Sequence, residues 1–431
     1  MLDPRLFRDA AGYALVRQRL ALRGANPSLE ALLEELRTDA EGRAAQIAEA
    51  DARAAELNAK SRQIGALKKQ GGDASALLAE TAALSARAQE AQRAADTADQ
   101  AFRRKLLEVP NLPAADVEAG DATCNRVVRS WGEPASQEPW RRPHWDVGRA
   151  LGLLDMERAA RLTGSGFPLY VGMGARLERA LITYLLDLQA REHGYTEVSP
   201  PFLVSRETMT GTGQLPKFEA DLYRLDADDL FLVPTAEVPV TNLHRGEILS
   251  GEELPRRYVA YTPCWRREAG AHGADTRGIL RVHQFDKVEL VWFTTPETSL
   301  EAHEQLTRDA EIALQRLGLA YRVVKIAAGD MGFANHRQYD LEAWAPGVGK
   351  WLEVSSCSSY ADFQARRMDI RYRPRRGAKP EFVHTLNGSA LGLARVLIAI
   401  LETGQQPDGS LRVPDVLVPL VGAERIGPGG A

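Results

Sequence analysis

Two segments decide the fold: Tyr258-Val-Ala-Tyr-Thr-Pro-Cys-Trp-Arg-Arg-Glu268 and Ile279-Leu-Arg-Val-His-Gln-Phe-Asp-Lys-Val-Glu-Leu-Val-Trp-Phe293. Both are rich in β-branched and aromatic residues. They flank a stretch carrying Gly270, Gly273 and Gly278, the pattern of a long β-hairpin. In the second segment Leu280, Val282, Val288, Leu290 and Trp292 share one parity and suit a core. Arg281, Phe285 and Glu289 share the other and would project together. A cation, an aromatic plate and an anion then stand in a row, with Phe285 and Glu289 about 13 Å apart along an extended strand. That is the span of a nucleotide joined to a small amino acid. Arg266 and Glu268 share a face on the first strand. Mixed charges also occur on solvated sheet faces, so the reading turns on the rest of the chain.

Working outward, strand patterns recur at 222–225, 230–233, 321–326, 339–345 and 351–356, with one amphipathic helix at 300–317 among them. Consecutive strands without a helix between each pair predict an antiparallel sheet, hence an α+β fold. Neither a phosphate-binding P-loop nor a dinucleotide glycine fingerprint stands where it would matter. Upstream, 144–162 reads as helix, 167–173 as strand, and 175–193 as a strong amphipathic helix ending at Gly194. The extended, proline-bearing run Tyr195–Val204 that follows is an edge element, of the kind that pairs with a second subunit. These boundaries give a body at 144–431, preceded by a proline- and glycine-bearing linker at 111–143.

The first 110 residues read differently. A short helix at 9–23 ends near Gly24, and Asn26-Pro27 starts another, with Asn as N-cap and Pro at the first helical position. Leu36, Ala40, Ile47, Ala50, Ala54, Leu57 and Ile64 recur at 4,3 spacing, interrupted by Arg43. After the turn Gly71-Gly72-Asp73, the spacing resumes at Leu77, Thr81, Leu84, Ala88, Ala91, Ala95, Ala98 and Phe102 and stops at Pro110. The expectation is an antiparallel coiled-coil hairpin over about 27–109, some ~50–60 Å long. Its cations, Arg43 among them, are placed on the outer surface, and Lys60, Arg62, Lys68 and Lys69 form a net basic stretch near the tip. A solvated helix face explains such charges; so does a lever that touches phosphates.

The chain has 431 residues and a net charge of −4, so any nucleic-acid contact must be a local patch. Cys124, Cys264 and Cys357 are scattered and odd in number, which argues against a disulfide framework or zinc site and for small buried hydrophobes. No long apolar run or signal-peptide pattern is seen, so a soluble cytoplasmic protein without membrane contact is expected.

The last helix reads as starting near Ala390, with Arg395 in its middle. Arginine in so apolar a helix needs an anion, either a carboxylate or a phosphate. With Arg266 and Arg281 it could surround one polyphosphate. Glu353-Val354-Ser355-Ser356 ends an apolar strand and offers a carboxylate with hydroxyls, a donor set suited to Mg²⁺ beside phosphate. Thr235-Ala236-Glu237 is a polar insert in apolar sequence. Glu237 and Glu289 could hold an ammonium, and Thr235 and Ser389 a small hydroxyl. Attack by a carboxylate on an α-phosphate fits this set, because it needs charge neutralisation and alignment and no protein nucleophile. His283 and His384 read as packing or hydrogen-bonding residues.

These motifs, in this order, make the chain resemble the bacterial-type seryl-tRNA synthetases of class II over essentially its whole length. Gly194-Tyr195 with Pro201-Phe202-Leu203 looks like motif 1, the dimer element, with Pro201 at its marker position. Arg266-Arg267-Glu268 through Phe285 looks like motif 2, and Gly388 to Arg395 like motif 3. The resemblance implies an antiparallel sheet flanked by helices, an N-terminal tRNA-binding arm and a homodimer. It implies ATP, serine and Mg²⁺ as ligands, and tRNA(Ser), with tRNA(Sec), as partners. Arg266 and Arg395 would be catalytic on the α- and γ-phosphates, Glu268 would meet the adenine amino group, Phe285 and Arg395 would cover its two faces, and Arg281 would serve the phosphates. Arg267, Val354 and Ser355 complete the implied ATP set, and Glu353 with Ser356 would position the metal. Thr235, Ala236, Glu237, Arg266, Glu289, Asn387 and Ser389 define the implied serine pocket, and Lys60, Arg62, Lys68 and Lys69 the tRNA contacts of the arm. A regular strand puts Glu353 and Ser355, not Ser356, on one face, so a bulge or a strand end is expected there. Gly166, Ala274 and the pair Ser359-Tyr360 depart from the family pattern, and the expectation is that they touch loops or residues one layer behind the ligands, and so bear on tRNA-end contacts more than on activation. Two rival readings are a carrier-protein-loading paralogue, which lacks so long an arm, and a non-catalytic RNA-binding scaffold, which would not need Arg266, Glu268, Phe285, Glu353 and Arg395.

Overall fold

The computed structural model describes residues 1–269 and 277–428. Gly270, Gly273 and Ala274 lie outside them. The chain divides into two compact units, one of residues 1–21 with 25–110 and one of residues 22–24 with 111–431.

In the first unit, helix α1 (Ala10–Ala21) precedes a hairpin of α2 (Pro27–Lys69) and α3 (Ser75–Leu106). Asn26 caps α2 by accepting from the Leu29 N–H at 3.1 Å, and Gly71 turns the chain at φ +72°. Leu36, Ala40, Ala50 and Ile64 are buried against the second helix, as are Leu84, Ala95 and Phe102 against the first. Ala54 is exposed, so the apolar stripe is not continuous. Arg43 is not on the outer surface. Its side chain is only 12% exposed, pairs with Asp99 at 2.5 Å and covers the Phe102 ring, with Cζ 5.4 Å from the centroid. An alanine-poor seam position is thus filled by an arginine whose stem packs and whose charge is met by the opposite helix.

The second unit is built on a sheet of eight strands among the described residues. In chain order these are β1 (Arg126–Trp131), β2 (Thr196–Glu197), β3 (Arg256–Trp265), β4 (Gln284–Thr294), β5 (Tyr321–Lys325), β6 (Arg337–Ala345), β7 (Lys350–Ala361) and β8 (His384–Gly392). Their spatial order is β1-β5-β6-β7-β8-β4-β3-β2. Every pairing is antiparallel except the short parallel edge β2–β3. The stretch read as linker therefore contributes one edge strand, and the run after Gly194 forms the other. The helices of this unit that position the site are α4 (His144–Ala150), α5 (Met156–Thr163), α6 (Met173–Asp187), α7 (Ser299–Arg316), α8 (Phe363–Met368) and α9 (Leu393–Thr403).

Three local expectations are corrected. The helix at 144–162 is broken between α4 and α5, where Gly152 takes φ +65° and Leu153 and Leu154 turn into the core. The strand at 167–173 reduces to one bridge, Leu154 with Tyr170, in a stretch where Gly164, Gly166 and Gly172 all have positive φ. The last helix begins at Leu393, because 384–392 pairs with β4 and β7 as a central strand. Arg395 therefore stands in the first turn of α9 with its side chain 34% exposed, while the rest of that helix through Glu402 is buried. Cys264 and Cys357 are buried, whereas Cys124 is exposed.

Candidate active site

Strands β3 and β4 form the expected hairpin, with Cys264 opposite Phe285 and Ala260 opposite Glu289. The row of three does not lie wholly on a strand. Phe285 and Glu289 are on β4, but Arg281 precedes it, and Arg266 and Glu268 follow the end of β3. Glu268 takes φ +50°, so a left-handed turn and not strand parity aims its carboxylate. Four of these side chains nevertheless converge, and Glu289 lies in the pocket behind them. One cleft is lined by Arg266, Glu268, Arg281, Phe285, Glu353 and Arg395, with Val354, Ser355, Ser356 and Ser389. The Arg266 guanidinium lies over the Phe285 ring, 5.1 Å from its centroid. Arg281 donates to Glu268 at 2.7 Å. Arg395 donates to the carbonyls of Leu280 (3.3 Å) and Glu353 (2.9 Å) and stands 3.4 Å from the Glu353 carboxylate. Two arginines far apart in sequence thus share one cleft with an aromatic plate.

Arg267 is a correction. Its Nε donates to the Leu222 carbonyl at 2.9 Å and its guanidinium stacks 4.7 Å from the Tyr223 centroid, so it braces the cleft from outside and lines none of it. Ala236 is another, since its side chain is fully buried in a core cluster with Val240 and Leu249. Ser355 is buried with its hydroxyl donating to the Ser389 carbonyl at 2.6 Å. At Val354 the register of β7 against β6 slips by one residue, with Leu341 opposite Ser355 but Glu342 opposite Glu353. That bulge lets Glu353 and Ser356 line the same cavity.

Behind the cleft lies a polar pocket, and Ser389 borders both. Glu237 and Glu289 are buried there and bridged by one amide. Asn387 Nδ2 donates to Glu237 Oε2 (3.0 Å) and to Glu289 Oε1 (2.8 Å). Gln364 Nε2 on α8 donates to the other Glu237 oxygen at 2.7 Å. Lys287 Nζ lies 2.5 Å from Glu289 Oε2, the oxygen that Thr235 and Ser389 hydroxyls approach only loosely, at 3.4 and 3.5 Å. Burial, reinforced by the Glu289 charge, pushes the Glu237 carboxyl up to about 7. Two carboxylates and one ammonium leave this pocket one positive charge short, which a ligand ammonium would supply.

Lys287 and Tyr360 were missed as pocket residues, and Gln364 as the partner that holds Glu237. Lys287 had a signal, since it falls between Phe285 and Glu289 on the same parity. Gln364 had none, because it reaches in from a separate helix. Tyr360 was read as a departure in a loop or one layer behind the ligands; it sits on β7, buried, with its hydroxyl donating to Asn387 Oδ1 at 2.6 Å. The other departure, Gly166, has φ +84°, and a Cβ there would meet the His283 ring.

A metal fits beside Glu353. Asp340 is buried next to Glu353 and Ser356, and burial together with the Glu353 charge holds its carboxyl well above the usual range. A hard cation against Glu353 and Ser356 would relieve that repulsion. Among the described residues no group of three or more His, Cys, Asp or Glu could hold a metal alone, so phosphate and water must complete its shell.

In the arm, Arg62, Lys68 and Lys69 are exposed. Lys60 is tied across the hairpin to Glu80, which makes it first a clamp between helices. Pro201 is exposed beside exposed Phe202 and Leu203.

An antiparallel sheet carrying this paired-arginine cleft defines the catalytic domain of a class II aminoacyl-tRNA synthetase. The family model of that core, described for the G, H, P, S and T enzymes, matches residues 217–404. The model of the seryl-tRNA synthetase N-terminal domain matches residues 1–113. A serine–tRNA ligase of Gemmatimonas aurantiaca is 52% identical over 422 residues, 98% of this chain and 99% of that protein. One of Thermotoga neapolitana is 50% identical over 429 residues, 99% and 100% of the two chains. The crystal structure of a seryl-tRNA synthetase from Pyrococcus horikoshii complexed with ATP superposes with a TM-score of 0.88 at 36% identity, covering 99% of this chain and 100% of that one. The chain belongs to the seryl-tRNA synthetase family.

Proposed function

We propose that this synthetase activates serine with ATP to seryl-adenylate and pyrophosphate, then transfers the seryl group to tRNA(Ser), with tRNA(Sec) as a second acceptor. The observation that carries the reading is the continuity of the Arg266–Arg395 cleft with the Glu237–Glu289 pocket through Ser389. The serine ammonium enters between the two carboxylates, and its carboxylate points out toward Arg266. That carboxylate attacks the α-phosphorus, and the bond to the pyrophosphate oxygen breaks. Arg266 neutralises charge at the α-phosphate, Arg395 and Arg281 at the leaving pyrophosphate, and Phe285 stacks on adenine. Glu268 is released from Arg281 to accept from the adenine amino group. When Mg²⁺ is bound at Glu353 and Ser356, it neutralises phosphate charge and aligns the triphosphate. A ribose hydroxyl at the tRNA end then attacks the seryl carbonyl, and AMP departs. The Thr235 and Ser389 hydroxyls, whose bonds to Glu289 Oε2 are long at 3.4 and 3.5 Å, turn to the substrate hydroxyl. An analogue without that hydroxyl forgoes these bonds, and threonine is excluded by size.

The working unit is a homodimer paired through the Pro201 edge, with the arm of one subunit holding the tRNA whose acceptor end enters the other. The cytoplasm is its place of work. Among the described residues no helix is long and apolar enough to cross a membrane. Charging of total tRNA with each of the twenty amino acids in turn tests the reading. Serine alone should be attached, and attachment of another amino acid in its place overturns it.

A further inference from the structure

We propose that His144 is a positioning residue for the nucleotide cleft. Its ring links helix α9 to the backbone of Ile279 and so fixes Leu280 and Arg281 in the cleft wall. This rests on the ATP reading above. His144 opens α4 and is wholly buried, as is Glu402 near the end of α9. Its Nδ1 lies 2.9 Å from Glu402 Oε1, which also accepts from the His144 N–H at 2.9 Å. Glu402 Oε2 accepts from the N–H groups of Gly347 (2.8 Å) and Val348 (2.9 Å). Backbone donors hold the carboxylate at both oxygens, so the ring proton sits on Nδ1 and Nε2 keeps its lone pair. That lone pair accepts from the Ile279 N–H at 3.2 Å.

The approach is built into the chain. Gly278 has φ +64°, and a Cβ there would fall 2.2 Å from His144 Nε2. Residues 279–282 precede β4 and have no strand partner among the described residues, while His283 is held by the Arg266 N–H and the Gly166 carbonyl. Without a ladder, other bonds must hold them. The return segment is pinned to α9 at consecutive residues: Ile279 through His144 and Glu402, and Leu280 directly through Arg395. Glu402 and Arg395 stand about two turns apart on one helix. The same helix that brings Arg395 to the triphosphate therefore sets the position of Arg281.

Two substitutions separate anchoring from positioning. His144→Asn keeps an amide that can donate to Glu402 but cannot reach Ile279. His144→Gln keeps an acceptor at the Nε2 position. In serine-dependent pyrophosphate exchange, H144N should raise the KM for ATP about tenfold, the scale of one lost buried hydrogen bond, with the KM for serine within about twofold. H144Q should stay within about threefold of the parent for both substrates. Equal rises for ATP and serine, equal losses in both variants, or an unchanged ATP KM in H144N overturn the proposal. Amide exchange gives a readout independent of catalysis. The Ile279 amide should be protected in the parent and, if H144N folds, exchange faster in it. Free exchange of that amide in the parent refutes the bond. A parent lacking serine-dependent exchange counts against the ATP reading, while the Ile279 amide still reports on His144.

Discussion

Glu237 is a buried carboxyl with too little positive charge around it. Its folded value of about 7 exceeds the ordinary 4.5, so between those values the folded state holds more protons than the unfolded. Its contribution to stability therefore falls as pH rises from about 4.5 to about 7 and is level above. Serine binding runs the opposite way, since the ammonium needs the ionised form. The KM for serine should drop about tenfold between pH 6 and pH 8, with a proton released on binding below pH 7. Glu237→Gln should bind serine weakly and flatten that profile. A pH series of pyrophosphate exchange checks both, and an unchanged slope in the variant would move the ammonium site elsewhere. Arg395→Ala makes a different statement. Its partners are two carbonyls and a partly exposed carboxylate, so its loss should leave the melting temperature within a few degrees and cut adenylate formation by roughly 10²-fold or more. A collapsed melt would mark Arg395 as structural. At this scale the sequence exposed residues through parity and charge. Glu289 and Phe285 were legible on β4, and Lys287 was equally so. Arg267 was misread because adjacent arginines look alike until one is seen bonded to the Leu222 carbonyl.

At the scale of elements, local pattern and tertiary demand part company at 384–392. His384-Thr-Leu-Asn-Gly-Ser-Ala-Leu-Gly392 has no clean alternation, because both faces of a central strand are buried. The apolar run was therefore added to the helix after it. A conflict between two site residues left a bulge or a strand end open near Val354, and no propensity decides between them; the register shift shows a bulge. In the arm, the 4,3 spacing located the seam, but composition could not show that Arg43 turns inward toward Asp99. The consequence is testable. Arg43→Ala removes a largely buried ion pair and the cover over Phe102, and should weaken the hairpin by about 1–3 kcal/mol. Amide exchange should quicken along α2 and α3 while the sheet is unchanged. Uniform exchange in both units, or none, would contradict the local origin.

For the whole molecule, the proposed function gives activation to the second unit and tRNA recognition to the arm. Among the described residues, the cleft and the polar pocket behind it are lined by residues 212–395 of the second unit. The helices of the arm are held together by Arg43–Asp99, Lys60–Glu80 and Lys105–Asp39 and by a thin apolar seam, which leaves Arg62, Lys68 and Lys69 exposed near the turn. Replacing residues 30–103 with a short linker should therefore leave serine-dependent pyrophosphate exchange within a few-fold of the parent and abolish tRNA charging. Arg62, Lys68 and Lys69 changed together to alanine should weaken charging less, and the defect should deepen with added salt as phosphate contacts do. Two measurements on one preparation, exchange and charging, separate the tasks. Charging that survives the deletion would show that the catalytic unit recognises its tRNA alone. Exchange lost along with charging would show that activation depends on the arm.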